Sequence, residues 1–262
     1  MLIKNILIAG GGHFGKKSII YGQKKRYRIL VIDNNPNCFA AGLVNATYRD
    51  VGNLLEDFEN YSAQEIIFLN YDISITLQIL EQIRFEYIIP VVPVHLIAQI
   101  VKDLFRNNGY ELNKNEPLTR KVATKINPDL LLNQIISKGV IYLSYAKENE
   151  ICPENCSSPP NYCPNHKRNK PITVTDYLKD MFKMTSIYRV DPQEKIIYII
   201  MNSLQLEAGL GGLKGSEIYT LLSNILNTLK TTKIPINQIE LIISTSCNCH
   251  AVINFYDVVP IG

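Results

Sequence analysis

An apolar run leads directly into a glycine-rich loop near the beginning of the sequence, where residues 3–15 read IKNILIAGGGHFG. Residues 3–9 have the length and composition of a strand that is buried on both faces of a parallel sheet. Gly10, Gly12 and Gly15 then fit the pattern G-x-G-x-x-G, ahead of a short helix predicted over residues 16–23. In such a loop one glycine makes the tight turn, one admits a pyrophosphate and one lets the helix pack closely. The residues therefore predict a dinucleotide-binding site.

A carboxylate follows the next apolar run at the spacing that this kind of site uses. Residues 28–32 are predicted to form a second buried strand, which ends at Asp33. A carboxylate at that strand end can accept hydrogen bonds from both ribose hydroxyls of an adenosine, and it repels a 2′-phosphate. This favours NAD over NADP. Two alternatives stay open at this point: S-adenosylmethionine as the ligand, or a surface aspartate beside a glycine turn that binds nothing.

The rest of the first half alternates between strand and helix patterns. Apolar strands are predicted at residues 65–70 and 87–92, with helices at 75–85 and 94–106. This alternation predicts a Rossmann-like parallel sheet. His95 comes directly after the strand at 87–92, and doubly wound sheets bind ligands at the carboxyl ends of their strands. His95 is therefore a candidate general acid or base, and the alternative is a histidine bonded to the loop backbone.

The first 106 residues resemble two known nucleotide-binding domains. The resemblance is carried by residues 8–12 (IAGGG), by Gly15, and by residues 31–36 (VIDNNP). They resemble the TrkA-type NAD-binding domain of potassium-transport regulators and the first domain of sirohaem synthase, the precorrin-2 dehydrogenase module. The resemblance implies a Rossmann fold with NAD bound at Gly10, Gly12, Gly15 and Asp33. It implies no particular activity.

A polar stretch at residues 107–117 is the predicted boundary between two domains, 1–108 and 109–262. Beyond it we expect a second α/β region. Its predicted elements include a helix at 129–137, a strand at 140–145 and a helix at 216–228. The glycines of residues 204–212 are predicted to cradle a phosphate or a planar ligand, or else to form a tight turn or a flexible hinge. Residues 148–172, rich in proline and cysteine, are expected to be an irregular insert.

Five of the six cysteines fall into two clusters in this second half: Cys152, Cys156, Cys163, Cys247 and Cys249. The first three, with His166, give the spacing C-x3-C-x6-C-x2-H. Thiolates are soft ligands, so the clusters predict a metal centre, with an iron–sulfur cluster favoured over zinc. Reduced thiols without metal remain an alternative.

The second cysteine cluster admits a different chemistry. His250 directly follows Cys249, and a thiolate beside a histidine can serve as a redox or nucleophilic group. His250 is therefore the second candidate for proton transfer. The combination of the cysteine motifs with the glycine-rich loop also resembles an uncharacterised microbial family from anaerobes, which implies no function.

Composition narrows the class of protein. Hydrophobic residues make up 46% of the chain and the formal net charge is +3, which argues against disorder and gives no basis for nucleic-acid binding. No apolar run is long enough to span a bilayer, so we expect a cytoplasmic protein. The expected function is an NAD-dependent oxidoreductase or electron-transfer protein that acts on a small molecule or a redox partner. The alternative is a non-catalytic regulator that senses NAD and metal.

Overall fold

The computed structural model describes residues 3–262. It is a mixed α/β fold with parallel and antiparallel strand pairs. The strands are β1 (Asn5–Ala9), β2 (Arg28–Asp33), β3 (Ala46–Tyr48), β4 (Ile66–Asn70), β5 (Tyr87–Pro90), β6 (Tyr110–Lys114), β7 (Leu131–Ile135), β8 (Val140–Ser144), β9 (Tyr162–Cys163), β10 (Arg168–Asn169), β11 (Tyr188–Asp191), β12 (Ile196–Asn202), β13 (Leu204–Glu207), β14 (Leu210–Lys214), β15 (Glu240–Ser246) and β16 (His250–Pro260). The helices are α1 (His13–Lys24), α2 (Val51–Asp57), α3 (Thr76–Gln82), α4 (Leu96–Asn107), α5 (Glu116–Ala123), α6 (Val174–Met181) and α7 (Gly215–Thr231).

The chain divides into two compact units. Of the described residues, the first unit comprises those up to Leu96 together with 210–219, and the second comprises residues 97–209 with 220–262. The polar stretch predicted as a linker contains β6, which pairs with β16 and buries Leu112 while its other side chains stay at least partly exposed. The division between the units thus precedes the predicted boundary at residue 108, because α4 and β6 both pack within the second unit.

The first unit is built on a sheet in the order β14-β5-β1-β2-β4-β3. Its pairs are parallel, except that β14 runs antiparallel to β5. The side chains of residues 6–9 in β1 are fully buried, as the continuous apolar run predicts. The predicted strands β1, β2, β4 and β5 are therefore confirmed. Helix α1 begins three residues earlier than predicted, at His13, directly after the glycine loop.

The second unit is built on a mainly antiparallel sheet in the order β11-β12-β15-β16-β8-β7. Only β12 and β15 form a parallel pair in this order. Residues of α5 and α6 contribute to a core with the apolar face of this sheet. The helix predicted at 129–137 is wrong: these residues contain β7, which pairs with β8 through an irregular register near Leu131. The pairing with β8 overrides the helical spacing of the leucines and isoleucines.

Between β8 and β9, residues 145–161 contain neither helix nor strand. Beyond them β9 and β10 form a two-stranded antiparallel ladder in which Cys163 pairs with Arg168. No helix within residues 3–262 has the length and apolar character needed to cross a membrane.

Candidate functional site

The three glycines of the loop after β1 differ in what surrounds them. Gly10 has φ +112°, and a Cβ there would lie 2.7 Å from the carbonyl oxygen of Val91, so its backbone conformation and its packing both require glycine. A Cβ on Gly15 would overlap the carbonyl oxygen of Gly10, which shows how closely α1 approaches the loop. A Cβ on Gly12 would meet no atom within 4 Å. The loop is therefore tightly packed at its first and last glycine and open at the middle one.

The amino terminus of α1 faces this opening. Gly12 is the residue that precedes the helix, and it supplies no side-chain hydrogen bond to the helix backbone. The first N–H groups of a helix lack partners within the helix and carry a partial positive charge. The arrangement suits an anionic group that approaches Gly12.

Asp33 lies at the end of β2, beside the same loop. Its Oδ2 accepts a hydrogen bond from the N–H of Gly11 at 2.6 Å, and its Oδ1 accepts one from the N–H of Asn35 at 2.7 Å. An ionised carboxylate has about four acceptor positions, so Asp33 can take further hydrogen bonds. The carboxylate thus fixes the loop to the end of β2, a role that sequence reasoning did not anticipate.

Two other side chains belong to this part of the first unit. Cys38, the cysteine outside the clusters, packs on the loop so closely that a Cβ on Gly11 would overlap its sulfur. His95 is partly buried immediately before α4. Residues 91 and 92, a few positions earlier, contact Gly10. The proposed proton-transfer role of His95 stays a prediction.

In the second unit, the sulfur of Cys152 lies near two imidazoles. Its Sγ is 3.9 Å from Nε2 of His166 and 3.8 Å from Nε2 of His250. On the other side of the His250 ring, Nδ1 is 3.8 Å from Sγ of Cys247. Cys152 and His250 are 98 residues apart in the chain, so the fold brings the two predicted clusters together.

A carboxylate lies behind one of these imidazoles. Oε2 of Glu150 is 3.8 Å from Nδ1 of His166, and the other oxygen of Glu150 forms an ion pair with Arg168. Carboxylates behind a histidine commonly orient its ring toward a metal. The hydrogen bond from the Lys147 backbone and the charges of Arg168 and His166 hold the pKa of Glu150 below its ordinary value.

The other cysteines of the two clusters have different partners. Cys156 Sγ accepts hydrogen bonds from the N–H of Ser158 and from Nδ2 of Asn165, both at 3.3 Å. Cys163 is buried in β9. The structure therefore gathers the predicted ligands in one region, but it does not arrange the five cysteines around one point.

Cys249 has the least expected surroundings. Its sulfur accepts a hydrogen bond from Nζ of Lys170 at 3.0 Å and lies 3.0 Å from Oγ of Ser158. Lys170 is only 2% exposed, and a buried ammonium group is costly unless it is paired. Ser158 has φ +44°, which is unusual outside glycine, and its carbonyl accepts from Asn248. Sequence reasoning missed both residues, because neither belongs to a motif.

The thiols of Cys152 and Cys247 and the imidazole of His250 favour their neutral forms. Burial raises the pKa of Cys152, and the neighbouring Cys156 adds to the effect. Burial also raises the pKa of Cys247. Although His250 keeps an exposed edge, loss of solvation and the charge of Lys170 lower its pKa. Without a metal, both thiols are protonated and His250 is neutral at pH 7, so a metal would have to displace thiol protons.

The donor types suit a thiophilic metal, although the side chains do not enclose one. Among residues 3–262, no group of three or more histidine, cysteine, aspartate or glutamate side chains is arranged to hold a metal ion. Sulfur and nitrogen ligands of one tetrahedral zinc ion lie about 3.5 Å apart, as bond lengths of about 2.3 and 2.0 Å require. The Sγ–Nε2 distances of 3.9 and 3.8 Å are slightly longer. To bind one zinc ion, the sulfur of Cys152 and the two imidazoles would have to move slightly closer together.

Comparison with known proteins identifies both halves of the chain. Residues 6–96 match the family model AF_1314_N, the N-terminal domain of an uncharacterized protein, and residues 97–259 match AF_1314_C, its C-terminal domain. The matches meet at residues 96 and 97, where the chain first passes from one structural unit to the other, although residues 210–219 of the first unit lie within the C-terminal match. An uncharacterized protein of Archaeoglobus fulgidus is 25% identical over 249 residues, which is 94% of this chain and 96% of the relative. No solved structure matches the chain significantly.

These matches correct the expected relationship. The resemblance of residues 1–106 to the TrkA-type domain and to sirohaem synthase is wrong, because the matching family models are those of AF_1314. The resemblance rested on the glycine loop and the residues around Asp33. Such a loop is set by backbone sterics, which unrelated proteins share, so its pattern is a weak indicator of family.

Proposed function

We propose that this chain, which belongs to the AF_1314 family, binds NAD at the glycine loop of its first unit and acts as an oxidoreductase or electron-transfer protein. The observation that carries the proposal is the opening at Gly12, where a Cβ would meet nothing within 4 Å while Gly10 and Gly15 are tightly packed. This is the division of roles that a pyrophosphate-binding loop needs.

The topology of the first unit supports the same interpretation. Strand β1 is flanked by β2 and β5, to which it runs parallel. Chain order therefore reverses at β1, and ligands of doubly wound sheets bind at the carboxyl ends of strands at such a point. The sheet order is compatible with a Rossmann-like arrangement. The glycine loop is the carboxyl-end connection of β1.

Asp33 would supply the specificity for the nucleotide. With two acceptor positions used by the N–H groups of Gly11 and Asn35, its carboxylate keeps capacity for ribose hydroxyls. A 2′-phosphate would meet this negative charge. We therefore propose NAD over NADP.

Replacing Gly12 by valine tests the nucleotide site without disturbing the fold. Gly12 has an extended conformation, φ −73° and ψ −156°, and an added side chain would enter open space. We expect G12V to weaken NADH binding by about 100-fold or more in a fluorescence titration, because the pyrophosphate would lose charge-assisted hydrogen bonds worth roughly 1.5–3 kcal/mol each. The melting temperature should stay close to that of the wild type.

The matched control is G42V, since a Cβ on Gly42 also meets nothing within 4 Å. This variant should bind NADH like the wild type. Unchanged NADH affinity in G12V, or no NADH binding by the wild type, would refute the nucleotide site.

We further propose a metal site in the second unit, which rests on the position of Cys152 between the imidazoles of His166 and His250. These three residues are the proposed ligands, and the mixed sulfur and nitrogen donors favour a single thiophilic ion such as zinc over an iron–sulfur cluster. When bound, such an ion would supply structural or Lewis-acid chemistry. Glu150 would orient His166, and Lys170 would hold the sulfur of Cys249 in place.

Metal content tests this site. We expect protein purified without oxygen to contain about one equivalent of zinc or iron, since one thiolate and two imidazoles can hold a tetrahedral ion that keeps an open fourth position. Elemental analysis of C152S should show most of the metal lost, whereas C38S, which alters the cysteine of the first unit, should retain it. A wild-type sample that contains neither zinc nor iron would exclude the site.

The non-catalytic alternative differs in the fate of NADH. An oxidoreductase should consume NADH when an artificial acceptor such as ferricyanide is present. A regulator that senses NAD and metal should bind NADH without consuming it. The absorbance of NADH, followed with wild type and G12V, separates the two.

A further inference from the structure

The second unit contains a cavity of about 330 Å³ that lies apart from its cysteines. It is bordered by α5, by the residues that follow α6, and by β11, β12 and β15. A volume of this size is at the lower end of the range for sites that bind small molecules. Nothing in the proposed nucleotide and metal chemistry uses it.

The floor of this cavity is apolar and aromatic. It includes Leu118, Val122 and Ile242 from the core of the unit. Phe182 and Tyr198 lie side by side, with ring centroids 5.3 Å apart. The hydroxyl of Tyr198 donates a hydrogen bond to Glu194. A flat apolar group would therefore find complementary surface there.

The rim of the cavity carries unbalanced positive charge. Lys121, Lys125 and Lys183 line it, and none of the three makes an ion pair with any residue in the described range 3–262. The two acidic residues on the lining are already engaged, Asp191 with Arg189 and Glu194 with Tyr198. An anion would therefore meet net attraction at this rim.

One basic group of the lining, Arg189, is held in place by its neighbours. The guanidinium of Arg189 stacks over the ring of Tyr198 at 4.4 Å, and its Nη2 donates to the carbonyl of Phe182 at 3.0 Å. Its Nε is buried and has no hydrogen-bond partner in the part of the chain that the structure describes. Lys183 has φ +52°, a conformation that ends a helix and favours glycine. A lysine at this position brings a charge that glycine would not.

We propose that this cavity binds a small organic anion, a carboxylate carried on an aromatic body. The aromatic part would lie on the floor beside Phe182 and Tyr198. The carboxylate would face Lys121, Lys125 and Lys183. The site is separate from the proposed nucleotide site, because every residue that lines it belongs to the second unit.

Calorimetry with two matched probes tests the proposal. 2-Naphthoate carries the charge, and 2-naphthalenemethanol has the same ring system without it. The wild type should bind the carboxylate at least about tenfold more tightly, since one charge-assisted contact suffices for such a factor. Equal affinity for both probes, or no binding of naphthoate, would overturn the proposal.

Lys183→Gly locates the binding, because it removes the charge and also relieves the left-handed backbone. We expect naphthoate to bind about tenfold more weakly to it, and naphthalenemethanol to be nearly unaffected. Lys167→Gly is the matched control, since Lys167 has φ +47° and does not line the cavity. G12V should bind naphthoate like the wild type, which separates this site from the nucleotide site. Undiminished naphthoate binding in both Lys183→Gly and Lys121→Gln would refute the assignment.

Discussion

Replacement of Gly215 by alanine is expected to lower the free energy of unfolding by about 3 kcal/mol or more, because the added methyl group would overlap backbone that has no room to move. A Cβ on Gly215 would clash with the carbonyl oxygen of Phe85, and the N–H of Gly215 donates to the carbonyl of Glu86 at 3.0 Å. The Tyr219 hydroxyl accepts from the N–H of Phe85 at 2.8 Å and donates to the carbonyl of Ile83 at 3.1 Å. The Arg84 guanidinium lies 4.1 Å from the centre of the Tyr219 ring.

Urea denaturation followed by circular dichroism measures this loss. G42A provides the control, because it makes the same substitution at a glycine of the same unit where a Cβ meets open space. Its stability should stay within about 0.5 kcal/mol of the wild type, as is usual for surface changes. If G215A and G42A unfold at the same urea concentration, the contact with Phe85 is not as tight as described.

The requirement for glycine at position 215 could not be predicted from the sequence. The glycines of residues 204–212 are predicted to cradle a phosphate or a planar ligand, or to form a turn or a hinge, but Gly211 and Gly212 lie in β14, which pairs with β5. The requirement at Gly215 comes from Phe85, which is remote in sequence. A pattern within a short window contains no information about such a contact.

The strands of the first unit were predictable, because the sequence of each strand is enough to identify it. Strands β1, β2, β4 and β5 are continuous apolar runs, because parallel strands buried on both faces need apolar residues at every position. In the second unit, β7 is only partly buried, and its sequence LLNQI has no alternation that distinguishes a strand from a helix.

The same contrast applies to the candidate sites. The cysteine clusters predicted a metal centre, and the fold places Cys152 of the first cluster 3.8 Å from the ring of His250, which follows the second. The partners of Cys249 were not predictable. Lys170 lies in a polar run, and Ser158 reaches Cys249 because its backbone is left-handed. Chemical motifs identify the reactive groups, whereas the groups that orient them are set by tertiary structure.

Removal of the Asn115 side chain is expected to be the second most damaging change, at about 3 kcal/mol, since it ends three hydrogen bonds of a buried side chain at once. Asn115 is 2% exposed and lies immediately before α5. Its Oδ1 accepts from the N–H of Leu118 at 2.7 Å. Its Nδ2 donates to Oε1 of Glu240 at 2.8 Å and to Oδ1 of Asp257 at 2.6 Å. These two carboxylates face each other across β15 and β16.

The loss in Asn115→Ala should depend on pH in a defined direction. Burial and the charge of Glu240 raise the pKa of Asp257 above its ordinary value of 3.8, while the hydrogen bond from Asn115 opposes them. The folded chain therefore holds this proton more tightly than the unfolded chain, so stability falls as pH rises from 3.8 through the raised pKa. Without the hydrogen bond from Asn115, the pKa of Asp257 should rise further. The loss of stability with rising pH should then be larger than in the wild type.

Urea denaturation of Asn115→Ala and wild type at about pH 4 and about pH 7 measures this difference, because the first pH is close to the ordinary carboxyl pKa of 3.8 and the second is well above it. The deficit of the variant should be larger at the higher pH. Asn127→Ala is the control, since Asn127 is exposed in the same unit and its Oδ1 accepts only a local hydrogen bond from Asp129. A deficit in Asn115→Ala that is independent of pH would mean that the helix cap alone accounts for the loss, and that Asn115 does not hold the two carboxylates together.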